Sequence, residues 1–132
     1  MSKPSSAELA PVPWRAGASG DIPERGRLVV QAGETAVGIF RIDGELYAYE
    51  NVCAHMGGPV CQGLMVPGVR ERLNGAQQQV GTEFDESDMH IACPWHGFEY
   101  SIKTGRHAGK ADIRLKRVMV EETADGDVYV HV

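Results

Sequence analysis

The sequence predicts an all-β domain of sandwich or barrel type. Short apolar-rich runs recur at close spacing, and Gly or Asp-Gly pairs punctuate the gaps between them. No window carries the spacing of a long amphipathic helix. At 132 residues the chain suits a single domain. Its apolar share of 42% and charged share of 23% suffice for a packed core with a wetted surface.

Residues 1–10, rich in Ser and Pro, read as a flexible N-terminal arm, and residues 11–132 as the folded domain. The first strong strand signals are Arg27-Leu28-Val29-Val30 and Ala36-Val37-Gly38-Ile39-Phe40-Arg41, with Gly33 between them as a turn residue. Asp43-Gly44 is the clearest hairpin signal, because both residue types tolerate the positive φ angles of a type I′ turn. Leu46-Tyr47-Ala48-Tyr49 returns as its partner strand. Further strands are expected at Met89–Ala92, Phe98–Ile102, Ile113–Val120 and Val128–Val132, with turns at Lys103-Thr104-Gly105 and Ala124-Asp125-Gly126-Asp127. Residues 64–88 differ: Pro67-Gly68, Asn74-Gly75, three glutamines and the acidic run Glu83–Asp88 read as a long solvated insertion. The alternative for that stretch is a flap that docks a partner or covers a site.

The net charge of −5 argues against nucleic acid as a partner. No stretch approaches the roughly 20 apolar residues of a membrane span. The first residues lack the pattern of a secretory signal, so a cytoplasmic location is expected.

Cys53, Cys61 and Cys93 make an odd cysteine count, which disfavours a disulfide framework. Two segments concentrate metal-ligating residues: Asn51-Val52-Cys53-Ala54-His55-Met56-Gly57-Gly58-Pro59 and Ala92-Cys93-Pro94-Trp95-His96-Gly97-Phe98. Each offers one thiolate and one imidazole from a tight turn. Gly57, Gly58 and Gly97 are expected to let the backbone approach a metal centre closely, and Pro59 and Pro94 to stiffen the turns. Backbone N–H groups of such loops can point at sulfur and tune a redox centre.

Cys53-x-His55 with Cys93-Pro94-x-His96-Gly97 resembles the signature of Rieske-type [2Fe–2S] proteins, and Asn51, Gly57-Gly58-Pro59, Gly63 and the upstream Asp43-Gly44 hairpin share the likeness. The resemblance implies a β-sandwich/barrel with a small inserted cluster-binding subdomain. It implies one [2Fe–2S] cluster, with Cys53 and Cys93 on one iron and His55 and His96 on the other. Gly57, Gly58, Pro94, Trp95, Gly97 and Tyr100 would surround it. Neutral imidazoles in place of two thiolates raise the potential to roughly −150 to +300 mV, against about −400 mV for plant-type clusters. The two extra cysteines of high-potential members correspond to Gly58 and Trp95, and the serine after the second loop corresponds to Phe98. With fewer donors to stabilise the reduced form, the low-potential ferredoxin type is expected. Tyr100 fits either a hydrogen-bond donor to the cluster or a core aromatic of its strand.

The chain departs from the family in three places. The gap of 37 residues from His55 to Cys93 is long. Arg106-His107-Ala108-Gly109-Lys110 stands where a proline-containing cover is usual. Cys61 is an extra thiol, not expected to be a ligand. His90 is read as structural, His131 as solvated and His107 as lying away from the cluster edge. The implied function is one-electron transfer from a reductase to an oxygenase, without a catalytic centre or small-molecule substrate. The alternatives are a tightly bound subunit of a larger metalloenzyme and a structural zinc protein, since Cys₂His₂ is also a zinc set.

Overall fold

A computed structural model describes residues 13–54, 57–73, 79–95, 97–110 and 112–132. Among these, nine strands form: β1 (Pro13–Ala18), β2 (Arg27–Ala32), β3 (Thr35–Ile42), β4 (Glu45–Glu50), β5 (Leu64–Leu73), β6 (Gln79–Ala92), β7 (Glu99–Ser101), β8 (Arg117–Glu122) and β9 (Asp127–His131). Six build an antiparallel sheet in the order β1-β9-β8-β4-β3-β2, and its end strands come close enough to nearly close it. The other three, ordered β5-β6-β7, form a second sheet. The expected all-β architecture with a smaller inserted unit is what the chain adopts.

β3 explains why its sequence reads as an unbroken apolar run. Val37 and Ile39 pack with Ile22, Ala48, Val118, Val128 and Val130 in one core. Phe40 and Ile42 pack with Tyr49, Cys61, Ile91, Tyr100 and Ile102 in the other. A strand buried on both faces needs no polar alternation. The turn from β3 to β4 is the one the sequence announces: Asp43 and Gly44 both take positive φ, 52° and 82°.

The insertion is the main correction. Most of 64–88 is no loop but the antiparallel ribbon β5–β6, running from Leu64↔Ala92 to Leu73↔Gln79, with Asn74-Gly75 outside the described residues. Among the described residues, β7 pairs only with His90, Ile91 and Ala92, at the inner end of β6. The outer stretch carries no apolar alternation in its sequence, so it reads as polar coil.

Register slips between Pro67↔Met89 and Gly68↔Asp85, so Glu86, Ser87 and Asp88 bulge from β6. Arg25 Nη1 reaches Glu86 Oε2 at 2.9 Å. Asp88 accepts from the Ser101 hydroxyl at 2.8 Å and lies 2.9 Å from His90 Nε2. His90, buried on β6 with Glu99 on its other ring nitrogen, is structural as expected. His131 is not solvated: it lies 3.0 Å from Glu121 Oε1, in the neighbouring strand β8, with its side chain only 19% exposed.

The strand expected at Ile113–Val120 forms only from Arg117 onward. The arm at residues 1–10 lies outside the described residues. Among the described residues, no helix is long and apolar enough to cross a membrane.

Candidate metal centre

Cys53 follows β4 and Cys93 follows β6, and the two open turns of one design. The Cys53 N–H donates to the Gly58 carbonyl at 2.8 Å, and the Cys53 carbonyl accepts from the Gly57 N–H at 2.9 Å. The Cys93 N–H donates to the Phe98 carbonyl and its carbonyl accepts from the Gly97 N–H, both at 2.8 Å. In each turn the fourth residue after the cysteine is a glycine at positive φ, 73° for Gly57 and 70° for Gly97. A Cβ added at either would meet nothing within 4 Å. At both positions the positive φ itself favours glycine.

Gly58 is the reverse case. A Cβ there would lie 2.8 Å from Trp95 Cγ and Cδ2 and 3.1 Å from Cys93 Sγ. The two loops meet at this α-carbon, and the missing side chain is what lets them meet.

Cys53 and Cys93 are buried, at 3% and 2% exposure, although each sits in a loop. No disulfide joins any of the three cysteines. The hydroxyl of fully buried Tyr100 lies 3.2 Å from Cys53 Sγ, and toward a metal-bound thiolate it can only donate. Burial, then the hydrogen bond and charge of Cys53, hold that phenol well above its ordinary value of 10.0. Tyr100 thus fills both roles offered by the sequence, core aromatic and sulfur partner.

Different neighbours brace the two turns. Behind the first, the 3₁₀ turn Val60–Gln62 is fixed by Asn51 Oδ1, which accepts from the Cys61 N–H at 2.8 Å. Arg27 Nη1 reaches from β2 to the carbonyls of Cys61 and Gly63. Cys61 is fully buried within the core, and burial pushes its thiol up to about 12. Beside the second turn lies residue stretch 106–110, tied to β7 by the Ala108 N–H donating to the Glu99 carbonyl. His107 packs edge-on against Phe98 and Tyr100, with ring centroids 4.9 and 5.6 Å away. Its Nδ1 accepts from the Gly109 and Lys110 N–H groups, so its hydrogen is on Nε2. His107 is closer to the centre than the sequence reading put it.

Two of the four expected ligands, His55 and His96, lie outside the described residues. For the thiolate half, the donors fit an iron–sulfur group. Two buried cysteines stand in facing loops, a hydroxyl is aimed at one sulfur, and a glycine leaves the space beside the other. Trp95 is the exposed aromatic at the tip, at 57%, and Pro94 beside it is also exposed.

Comparison with known proteins agrees with this geometry. The family model described as the Rieske [2Fe–2S] domain matches residues 13–118. A chain described as an NADH-dependent nitrite reductase small subunit from Mycobacterium tuberculosis superposes with a TM-score of 0.66 at 16% identity, covering 95% of this chain and 97% of that one. The ferredoxin of carbazole 1,9a-dioxygenase from Nocardioides aromaticivorans IC177 gives 0.62 at 16% identity, over 89% and 95% of the two chains. A chain from the complex of reduced oxygenase and oxidized ferredoxin in carbazole 1,9a-dioxygenase gives 0.64 at 23%, over 90% and 92%. At these identities the superpositions establish a shared fold.

Proposed function

The chain belongs to the Rieske [2Fe–2S] domain family, and from that premise we propose that it carries single electrons between proteins, with Cys53 and Cys93 ligating one iron and His55 and His96 the other. Membership implies one [2Fe–2S] cluster in the chain and removes the zinc reading. When bound, the cluster supplies reversible one-electron chemistry at a potential raised by its imidazole ligands. The observation that carries the reading is the matched pair of turns presenting two buried cysteines to one place.

The chain's own residues shape that chemistry. The Gly57 and Gly97 turns hold the two cysteines in place, and Tyr100 adds a hydroxyl at Cys53 Sγ. Phe98 supplies no hydroxyl, which supports a potential at the low end of the family range. A redox titration should place the midpoint below about +100 mV, within the family span.

The proposed partners are a flavin- or nicotinamide-linked reductase and an oxygenase, the latter supported by a neighbour described in a complex of reduced oxygenase and oxidized ferredoxin. The second reading, a subunit held in a larger enzyme, is favoured by the β5–β6 ribbon, which exposes Val69 and Phe84 opposite each other. Size measurement of the protein drawn from its native host separates the two: a stable complex selects the subunit, a small free species the carrier. The ligand set is tested by iron and inorganic sulfide assay with visible spectra of Cys53→Ser, His55→Ala, Cys93→Ser and His96→Ala. Each substitution should abolish the wild-type spectrum. Material with no equimolar iron and sulfide, or an unchanged spectrum in the histidine variants, overturns the proposal.

A further inference from the structure

Resting on the ligand assignment above, we propose that Trp95 and Gly58 form a non-covalent clasp that locks the second loop onto the first and keeps water from Cys93 Sγ. Trp95 stands at the tip of the Cys93–Gly97 turn, and its Cγ and Cδ2 lie over the Gly58 α-carbon so closely that a Cβ there would be 2.8 Å from each. Gly58 closes the first turn, its carbonyl accepting from the N–H groups of Cys53 and Val60 at 2.8 Å. The indole therefore rests on the residue that completes the opposing loop. Cys93 Sγ lies beside the same point, 3.1 Å from where that Cβ would be, and the cysteine is only 2% exposed.

Trp95 is itself 57% exposed. A large apolar ring left that open to water gains only part of the burial its size allows. No other described element joins the tips of the two turns covalently, since the cysteines form no disulfide. The clasp makes Gly58 a spatial requirement, in contrast to Gly57 and Gly97, where conformation decides.

Two consequences follow for a bound cluster. Reduction adds negative charge, which water stabilises and an apolar ring does not, so removing the indole moves the midpoint upward. Loosened loops also release iron faster. In Trp95→Ala, bleaching of the visible spectrum by a chelator should speed up about tenfold, the equivalent of one lost aromatic contact. The midpoint should rise, and Trp95→Phe should restore both properties most of the way. Gly58→Ala should push the indole off and shift both readouts in the same direction.

The combined Gly58→Ala/Trp95→Ala variant decides the mechanism. With the ring gone, the added methyl meets no indole and keeps only its 3.1 Å approach to Cys93 Sγ, so the double variant should fall well short of the sum of the two effects. If Gly58→Ala alone loads no cluster, recovery of the spectrum in the double variant supports the clasp, and where the spectrum stays absent the bleaching rate and midpoint of Trp95→Ala decide it. Unchanged bleaching and midpoint in Trp95→Ala, or additive effects in the double variant, also overturn it. A wild-type protein with iron, sulfide and its spectrum, but an inert Trp95, would sink the clasp alone. A wild-type protein without them would sink the ligand assignment as well.

Discussion

The Cys53 and Cys93 turns share a frame and differ in everything that braces it. Each cysteine donates to the carbonyl five residues on and accepts from the glycine four residues on. Behind Cys53, two side chains clamp the backbone: Asn51, just after β4, on the Cys61 N–H, and Arg27, from β2, on the carbonyls of Cys61 and Gly63. Beside Cys93, rings do the bracing: Phe98, Tyr100 and His107 pack edge to face. One turn is fixed by polar contacts and the other by aromatic ones. A local backbone pattern thus fixes the shape of a ligand loop, while the rest of the fold chooses how stiffly it is supported.

If the frame is what the loops share, its two glycines should be equally demanding. Gly57→Ala and Gly97→Ala should each lose about 1–2 kcal/mol of stability, the usual penalty for an L-residue at positive φ. Urea unfolding measures both, and a silent variant at either site would break the equivalence. The bracing should be asymmetric. Asn51→Ala strips the Cys61 N–H of its acceptor and should cost about 1 kcal/mol, with the chelator release rate of the cluster changing more than its potential. Tyr100→Phe should do the opposite. Its hydroxyl lies 3.2 Å from Cys53 Sγ, so losing one hydrogen bond of about 1 kcal/mol should lower the midpoint by about 40 mV while stability barely moves.

The smallest effect belongs to a pair outside both loops. Lys103 Nζ lies 2.7 Å from Asp43 Oδ2 and holds that carboxyl below its ordinary value of 3.8, while Asp43 raises Lys103 above 10.5. The carboxylate's contribution is therefore complete above pH 3.8 and fades as pH falls through its lowered folded value. The lysine's is complete below 10.5 and fades as pH rises past its raised value. Asp43→Asn, which keeps the φ of 52° acceptable, should lower the melting temperature slightly at neutral pH and not at all at the acid extreme. It should leave the midpoint of the cluster untouched.

Much of this was legible in the sequence because the signals are local. Asp43-Gly44 specifies its turn by backbone chemistry alone, and Cys-x-His with Cys-x-x-His marks the ligand loops. The common glycine four residues after each cysteine was also there to be read, as Cys53/Gly57 and Cys93/Gly97, and it is the signal that reveals the shared frame. The ribbon β5–β6 was not legible, since its sequence, with Pro67-Gly68, three glutamines and the acidic run Glu83–Asp88, displays no hydrophobic period. Nor were the Trp95–Gly58 contact, the Arg27 clamp or the placement of His107 against Tyr100. The first two join residues far apart in sequence, and the third depends on the path of the 106–110 stretch back over β7, so only the folded chain shows them.

The strand β3 has one more consequence. Since Val37 and Ile39 serve one core and Phe40 and Ile42 the other, heat finds no seam along which the iron-binding half could come loose by itself. Melting should proceed as a single cooperative transition, and a substitution such as Val37→Ala, on the face away from the metal, should lower the temperature at which colour is lost.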